Sequence, residues 1–258
     1  MMRKINLTFI GKSLSSAVLM IAFLVIPSLI ATSNNTTSRV KYPENHAFAN
    51  RAADEAGAVM AEAGMLYESM DLEALGLPKQ AFEYAFKGYK SLLNKGLVSK
   101  SNLITVADFS KSSRSKRLYI LDVESQRVVM QTYVAHGRGS GGEYATSFSN
   151  TPESHKSSLG FYITKGTYVG QHGTSLVLDG LERGINDNAE SRKIVIHGAR
   201  YIGDRHLRSN PFTGRSHGCP AVANNLSKKI IQTIKDGSVL FIYHPTNSYL
   251  NKSRIING

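Results

Sequence analysis

Residues 193–222 read KIVIHGARYIGDRHLRSNPFTGRSHGCPAV and contain Cys219, the only cysteine in the 258-residue chain. The stretch opens on the apolar, β-branched run Ile194–Ile196 and reaches His197 and Gly198. Such a run reads as a strand. A polar residue at its end, before a glycine, is placed to project into a cleft. The polar interval GDRHLRSNPFTG, 203–214, then reads as a loop over that cleft, and it leads into Ser216-His217-Gly218-Cys219-Pro220.

The neighbouring segments extend the pattern. RLYILDV (117–123) and RVVMQTYVAHG (127–137) are separated by the polar ESQ and read as a hairpin. GFYITKGTYVG (160–170), SLVLDG (175–180) and SVLFIY (238–243) read as further strands. Between Cys219 and the last strand, VANNLSKKIIQTIKDG has helical spacing in Leu226, Ile230, Ile231 and Ile234. Upstream, His46–Met70 is rich in Ala, Glu and Met and suggests helix. PKQAFEYAFKGYKSLLNK, 78–95, repeats Phe82, Ala85, Phe86, Tyr89, Leu92 and Leu93 at helical spacing. Pro78 suits its first turn and Gly96 its stop, and the stripe is read as packing. The expected organisation is a mainly-β core, 111–245, behind a helical segment, 46–110. A linker (32–45) precedes these and a loose polar tail (246–258) follows.

The N-terminus has a different character. MMRKINLTFIGK carries Arg3, Lys4 and Lys12 and no acid, and the apolar run Ala17–Ile26 and a polar exit follow. That order describes a secretory signal over 1–31, cut near Ala31, with an uncleaved signal anchor as the rival. No second long apolar run follows, so the remainder is expected to be soluble. The net charge is +12, and residues 1–38 contribute three cations without an acid, which leaves +9 for the remainder. A basic exported protein suits an anionic envelope polymer. The cations are scattered and no nucleic-acid-binding signature is present, so nucleic acid is not an expected partner.

Export turns the solitary thiol into an observation. It cannot form an internal disulfide, so it is either buried or kept for chemistry. A cysteine nucleophile needs a base or cation, a group to orient that base, and donors for an oxyanion. The base candidates are His217, two residues away, and the strand-end His-Gly pairs at His197, His136 and His172. Gly218 allows unusual dihedrals beside the thiol. A helix beginning soon after Pro220 would turn amides and a positive dipole end towards Cys219.

At these residues the chain resembles the YkuD-type L,D-transpeptidases, in the branch with Gly-Cys-Pro-Ala where most of the superfamily has Gly-Cys-x-Arg. The likeness runs through VADFSKSSRSKRLYILDV, VAHGRGSGG, FSNTPESHKSSLGFYI, GQHGTSLVLDGLERGINDNAESRKIVIHGARYI and GRSHGCPAV, over about 78–243. It implies a mainly-β, β-sandwich-like catalytic domain with an inserted helix and no cofactor or metal. It also implies attack on a peptidoglycan stem tetrapeptide, release of terminal D-Ala, and transfer of the acyl group to an amine of a second stem. Water as acceptor would make the same site a carboxypeptidase.

Carried over by position, Cys219 resembles the nucleophile, His197 the base and the Gly198 carbonyl its orienting group. Ser216, His217 and Gly218 match the segment before the nucleophile, with the Gly218 and Cys219 amides at the oxyanion site. His172 joins the substrate-binding candidates. The departure is Ala221, where an arginine is usual; Arg215 or Arg200 could supply the missing cation. The serine-rich SKSSRSK and SHKSS stretches read as surface loops without chemistry. Two other classes stand beside this reading. One is a zinc peptidase on His172, His197, His206 and His217, which lacks a His-Glu-x-x-His motif. The other is a non-catalytic wall-binding protein.

Overall fold

The structure is a computed structural model that describes residues 44–258. The expected signal or anchor, 1–31, and most of the linker, 32–43, lie outside the described residues. Helix α1 spans Glu44–Ser69, so the last two residues assigned to the linker belong to a helix. Helix α2 spans Lys79–Asn94 and packs on α1. Among the described residues, no helix is long and apolar enough to cross a membrane.

Nine strands follow: β1 Leu103–Asp108, β2 Leu118–Asp122, β3 Arg127–Thr132, β4 Val134–Ala135, β5 Gly160–Gly170, β6 Gly173–Gly180, β7 Val195–Ala199, β8 Ala221–Ala223 and β9 Val239–Tyr243. They hydrogen-bond in the order β3-β2-β1-β9-β5-β6-β7-β8-β4. The β1/β9 and β7/β8 pairs are parallel and the others antiparallel. Short helices α3 (Asp204–Leu207) and α4 (Asn224–Ile234) lie between β7 and β9. The helices α5 (Asn247–Leu250) and α6 (Arg254–Asn257) end the chain.

Strands β1, β2 and β9 are buried along their whole length, which is why they read as near-continuous apolar runs. β1 lies between β2 and β9 and is central to the sheet, so the mainly-β core begins before the expected boundary at 111. Helix α2 lays its aromatic stripe on this sheet. Phe82, Phe86 and Leu92 are buried, and each such side chain contributes about 1.5–3 kcal/mol. Gly88 makes the approach possible, because a Cβ there would stand 2.1 Å from the Phe161 ring of β5.

The expected loose tail is a correction. Tyr249, Ile255 and Ile256 are buried, and the segment is anchored on the buried carboxylate of Glu182. Tyr249 donates its hydroxyl to Glu182 Oε2 at 3.1 Å, and Ser253 donates to Oε1. The Phe161 amide donates to Oε2 at 2.8 Å. Polar residues with a buried acceptor to meet do not stay in solvent.

Strand β5 changes character partway. Gly160–Thr164 are buried, whereas Lys165–Val169 are exposed, because the β5/β6 hairpin runs on past the sheet. Its tip carries Gln171 and His172 and overhangs His197, which stands in the middle of β7 and not at the strand end expected from the sequence.

Candidate functional site

His197 sits on β7, and the parallel pairing puts it opposite Ala221 of β8. Cys219 lies two residues before that partner, so one strand pair brings the imidazole and the thiol to one end of the sheet. Both line a cavity of about 830 Å³. His197 is buried, and its Nδ1 lies 3.0 Å from the Gly198 carbonyl. A carbonyl only accepts, so Nδ1 carries the hydrogen and Nε2 holds the free lone pair. Burial lowers the His197 pKa below the ordinary imidazole value, and the charge of neighbouring His172 lowers it further. At neutral pH the ring is therefore an uncharged base. Gly198 itself packs under the first turn of α4, where a Cβ would stand 2.6 Å from Asn224 Oδ1.

Cys219 is half-buried, and its Sγ donates to the Lys193 carbonyl at 3.7 Å. Among the described residues no hydrogen bond joins it to His197. Burial raises the thiol pKa above its ordinary value, while the Val195 amide and the Arg192 guanidinium pull the other way. The thiol is protonated at neutral pH.

The turn that carries Cys219 is built by Ser216. Its hydroxyl donates to the Cys219 carbonyl at 2.6 Å and accepts the Gly218 amide at 3.1 Å. Gly218 has φ +122°, a conformation that L side chains rarely adopt, and a Cβ there would stand 2.8 Å from the Lys156 carbonyl. These contacts correct two expectations. The Gly218 amide is committed to Ser216 and is not free for an oxyanion. Ser216 is buried and shapes the turn. The helix-terminus expectation is also corrected. Strand β8 separates Pro220 from α4, whose N-cap is Ala223, so Pro220 does not open the helix.

His172 stacks on His197, with ring centroids 4.4 Å apart. His217 is exposed, lines the cavity, and lies against His155, with ring centroids 4.5 Å apart and the rings tilted by 54°. Arg215 lines the same cavity, donates to the Gly141 carbonyl at 3.0 Å and lies over the Phe212 ring. Arg200 lines a different cavity, which removes it as a substitute for the missing superfamily arginine. The loop 203–214 does not cover the thiol either; Gly203, Asp204, Arg205 and Arg208 line that second cavity. His136 is fully buried beneath the site, held by Arg117 at 2.8 Å, and its pKa falls to about 4 through burial and that cation. The four histidines of the zinc reading are not one set. His172 pairs with His197, His217 pairs with His155, and His206 lies on α3 against Asn210. Among the described residues no three His, Cys, Asp or Glu side chains are grouped to hold a metal.

Two contributors escaped the sequence reading. Arg192 lies beside the turn that carries Cys219, where a Cβ on Gly218 would meet its Nη2 at 3.3 Å. Its guanidinium donates to the Ser149 and Lys156 carbonyls at 2.8 and 2.6 Å. Ser157, in the stretch expected to be an inert surface loop, accepts the Gly137 amide and donates to the Gly218 carbonyl, both at 3.0 Å. No local pattern marks either residue, because both act across twenty or more positions of sequence.

A mainly-β sheet behind a helical pair, with a thiol and an imidazole on one cavity, is the arrangement that the resemblance implied. The chain belongs to the L,D-transpeptidase catalytic domain family, whose model matches residues 73–243. Among solved structures, the L,D-transpeptidase from Mycobacterium smegmatis is 10% identical over 55% of this chain and 59% of its own, with a TM-score of 0.34. The L,D-transpeptidase from Xylanimonas cellulosilytica is 18% identical over 65% of this chain and 81% of its own, with a TM-score of 0.33. The helical cell shape determining protein Pgp2 from Campylobacter jejuni is 16% identical over 56% of this chain and 48% of its own, with a TM-score of 0.36. The chain thus spans less than two thirds of the mycobacterial and Campylobacter chains. No curated protein matches it. The family is typically enzymatic.

Proposed function

We propose that the protein is a cysteine L,D-transpeptidase that cuts a stem tetrapeptide before its terminal D-Ala and transfers the acyl group to an amine of a second stem. The observation that carries this reading is the shared cavity. It is lined by Cys219 and by a neutral His197 whose Nδ1 is tied to the Gly198 carbonyl.

In this reading the thiol leaves the Lys193 carbonyl and gives its proton to His197 Nε2. The sulfur then attacks the carbonyl carbon of the scissile amide. The His197 proton goes to the departing D-Ala nitrogen as the C–N bond breaks, leaving a thioester on Cys219. The incoming amine loses its proton to His197, forms the new amide, and the thiolate takes that proton back. The Cys219 amide is the backbone donor left for the oxyanion, since that of Gly218 is used by Ser216. Arg215 and Lys193 give the cavity cationic character suited to stem carboxylates, against a single acid, Glu190. The basic-apolar-polar order of 1–31 supports export to the periplasm or wall face. N-terminal sequencing of envelope protein would test this; an intact Met1 would contradict cleavage.

The test of the reaction is mass spectrometry of disaccharide-tetrapeptides incubated with the protein. A cross-linked dimer with loss of D-Ala is expected. Tripeptide monomer alone would make water the acceptor, and unchanged substrate would contradict catalysis.

A further inference from the structure

A second cavity, of about 850 Å³, opens on the far side of the segment that follows β7. It is within the size range of small-ligand sites. Four cations, Lys116, Arg200, Arg205 and Arg208, line it, and all four are exposed. The ion pairs among the described residues are Lys90–Glu62, Arg127–Asp122, Lys165–Asp179 and Lys235–Asp236, so none of the four is neutralised by a carboxylate. The one acid on the wall, Asp204, accepts from the Tyr133 hydroxyl at 2.8 Å. The cavity therefore has an excess of three positive charges.

One wall is preset, because the Tyr133–Asp204 bond holds α3. The floor includes Ala223–Leu226, the start of the eleven-residue helix α4, which has no side-chain cap and no acid in its first turn. Its unmatched amides add donors to a site already defined by the arginines.

The place of the cavity matters as much as its charge. Ala199 and Ala223 are paired on β7 and β8 and line it, two residues beyond the His197–Ala221 pair. Two residues of strand are about 7 Å. Tyr201 faces the catalytic cavity while its neighbours Arg200 and Ile202 face the second one. The partition between the two is one chain thick.

We infer that this second cavity is a binding site for an oxyanion-bearing ligand, carboxylate or phosphate. It is separate from the thiol site. The inference does not depend on the Cys219 chemistry.

The test is calorimetry at low salt with two probes, inorganic pyrophosphate and propane-1,2,3-tricarboxylate, together with hydrogen–deuterium exchange. At least one probe should bind the full chain saturably, slow exchange in 200–208 and 223–227, and weaken as salt rises. The combined variant Arg200→Gln, Arg205→Gln, Arg208→Gln changes exposed side chains only and should bind roughly tenfold or more weakly. Tighter pyrophosphate binding assigns the anion to phosphate, and tighter tricarboxylate binding to carboxylates. The inference is overturned if neither probe binds, if the triple variant binds like the parent, or if protection falls only around Cys219. Release of D-Ala from a minimal tetrapeptide, measured in parallel, separates failure here from failure of the proposed reaction.

Discussion

The imidazoles of His172 and His197 are stacked, 4.4 Å between centroids and 20° from parallel, although 25 residues separate them in sequence. The contact joins the tip of the β5/β6 hairpin to the middle of β7. It keeps His197 covered, and the charge on His172 opposes protonation of its neighbour.

The first expectation follows from that contact. His172→Ala removes both the cover and the repelling charge, so the His197 pKa rises towards its ordinary value. A base that protonates at higher pH is lost earlier on acidification. The acid limb of kcat/KM against pH should therefore move to higher pH, with a loss at neutral pH of roughly tenfold or less. An unmoved limb would mean that the stack does not tune the base.

Arg192 should tune the thiol. Its charge favours the thiolate, and burial alone would push the thiol pKa higher still. Arg192→Met should shift the pH profile of iodoacetamide alkylation at Cys219 to more alkaline pH. The same change strips hydrogen bonds from the Ser149 and Lys156 carbonyls and should cost about 1–3 kcal/mol of stability. A lower stability with an unshifted alkylation profile would make Arg192 a structural residue only.

Gly218 should tolerate no side chain. A Cβ would stand 2.8 Å from the Lys156 carbonyl, at φ +122°. Gly218→Ala should cost about 1–3 kcal/mol in strain. It should also reduce turnover about a hundredfold by displacing the thiol. Urea melts and steady-state rates read the two effects separately.

Glu182 should couple the C-terminal helices to pH. Burial raises its carboxyl pKa above the ordinary value despite the donors around it. A raised carboxyl pKa means that its contribution is full below the unfolded-state value and is lost as pH rises through the folded one. The stability difference between the parent and Glu182→Gln should therefore shift against the parent as pH climbs through that range. Glu182→Ala leaves the Phe161 amide and two hydroxyls without their acceptor. It should cost about 1–3 kcal/mol and speed amide exchange in 247–257.

The strands flanked by turn residues were legible because turns and β-branched runs are local signals. RLYILDV, RVVMQTYVAHG and KIVIHGARYI all contain strands, as does SVLFIY. LITVAD was missed as β1 because Thr105 and Asp108, polar but buried, shorten the apolar run that made the equally buried β2 and β9 legible. The C-terminal segment was misread because Tyr249 and Ser253 look polar until Glu182, about seventy positions away, is seen to receive them. Cys219 and His197 were legible from their own neighbours. Arg192 and Ser157 were not, since what they hold is the backbone of a distant turn.

The central claim is a covalent one, that Cys219 carries the acyl group. Intact-protein mass spectrometry after rapid mixing with a disaccharide-tetrapeptide tests it most directly. The parent chain should gain the mass of the disaccharide-tripeptide acyl group, mapped to Cys219, and Cys219→Ala should gain none. Turnover of the tetrapeptide by the Cys219→Ala variant, or an adduct on any other residue, would contradict the account.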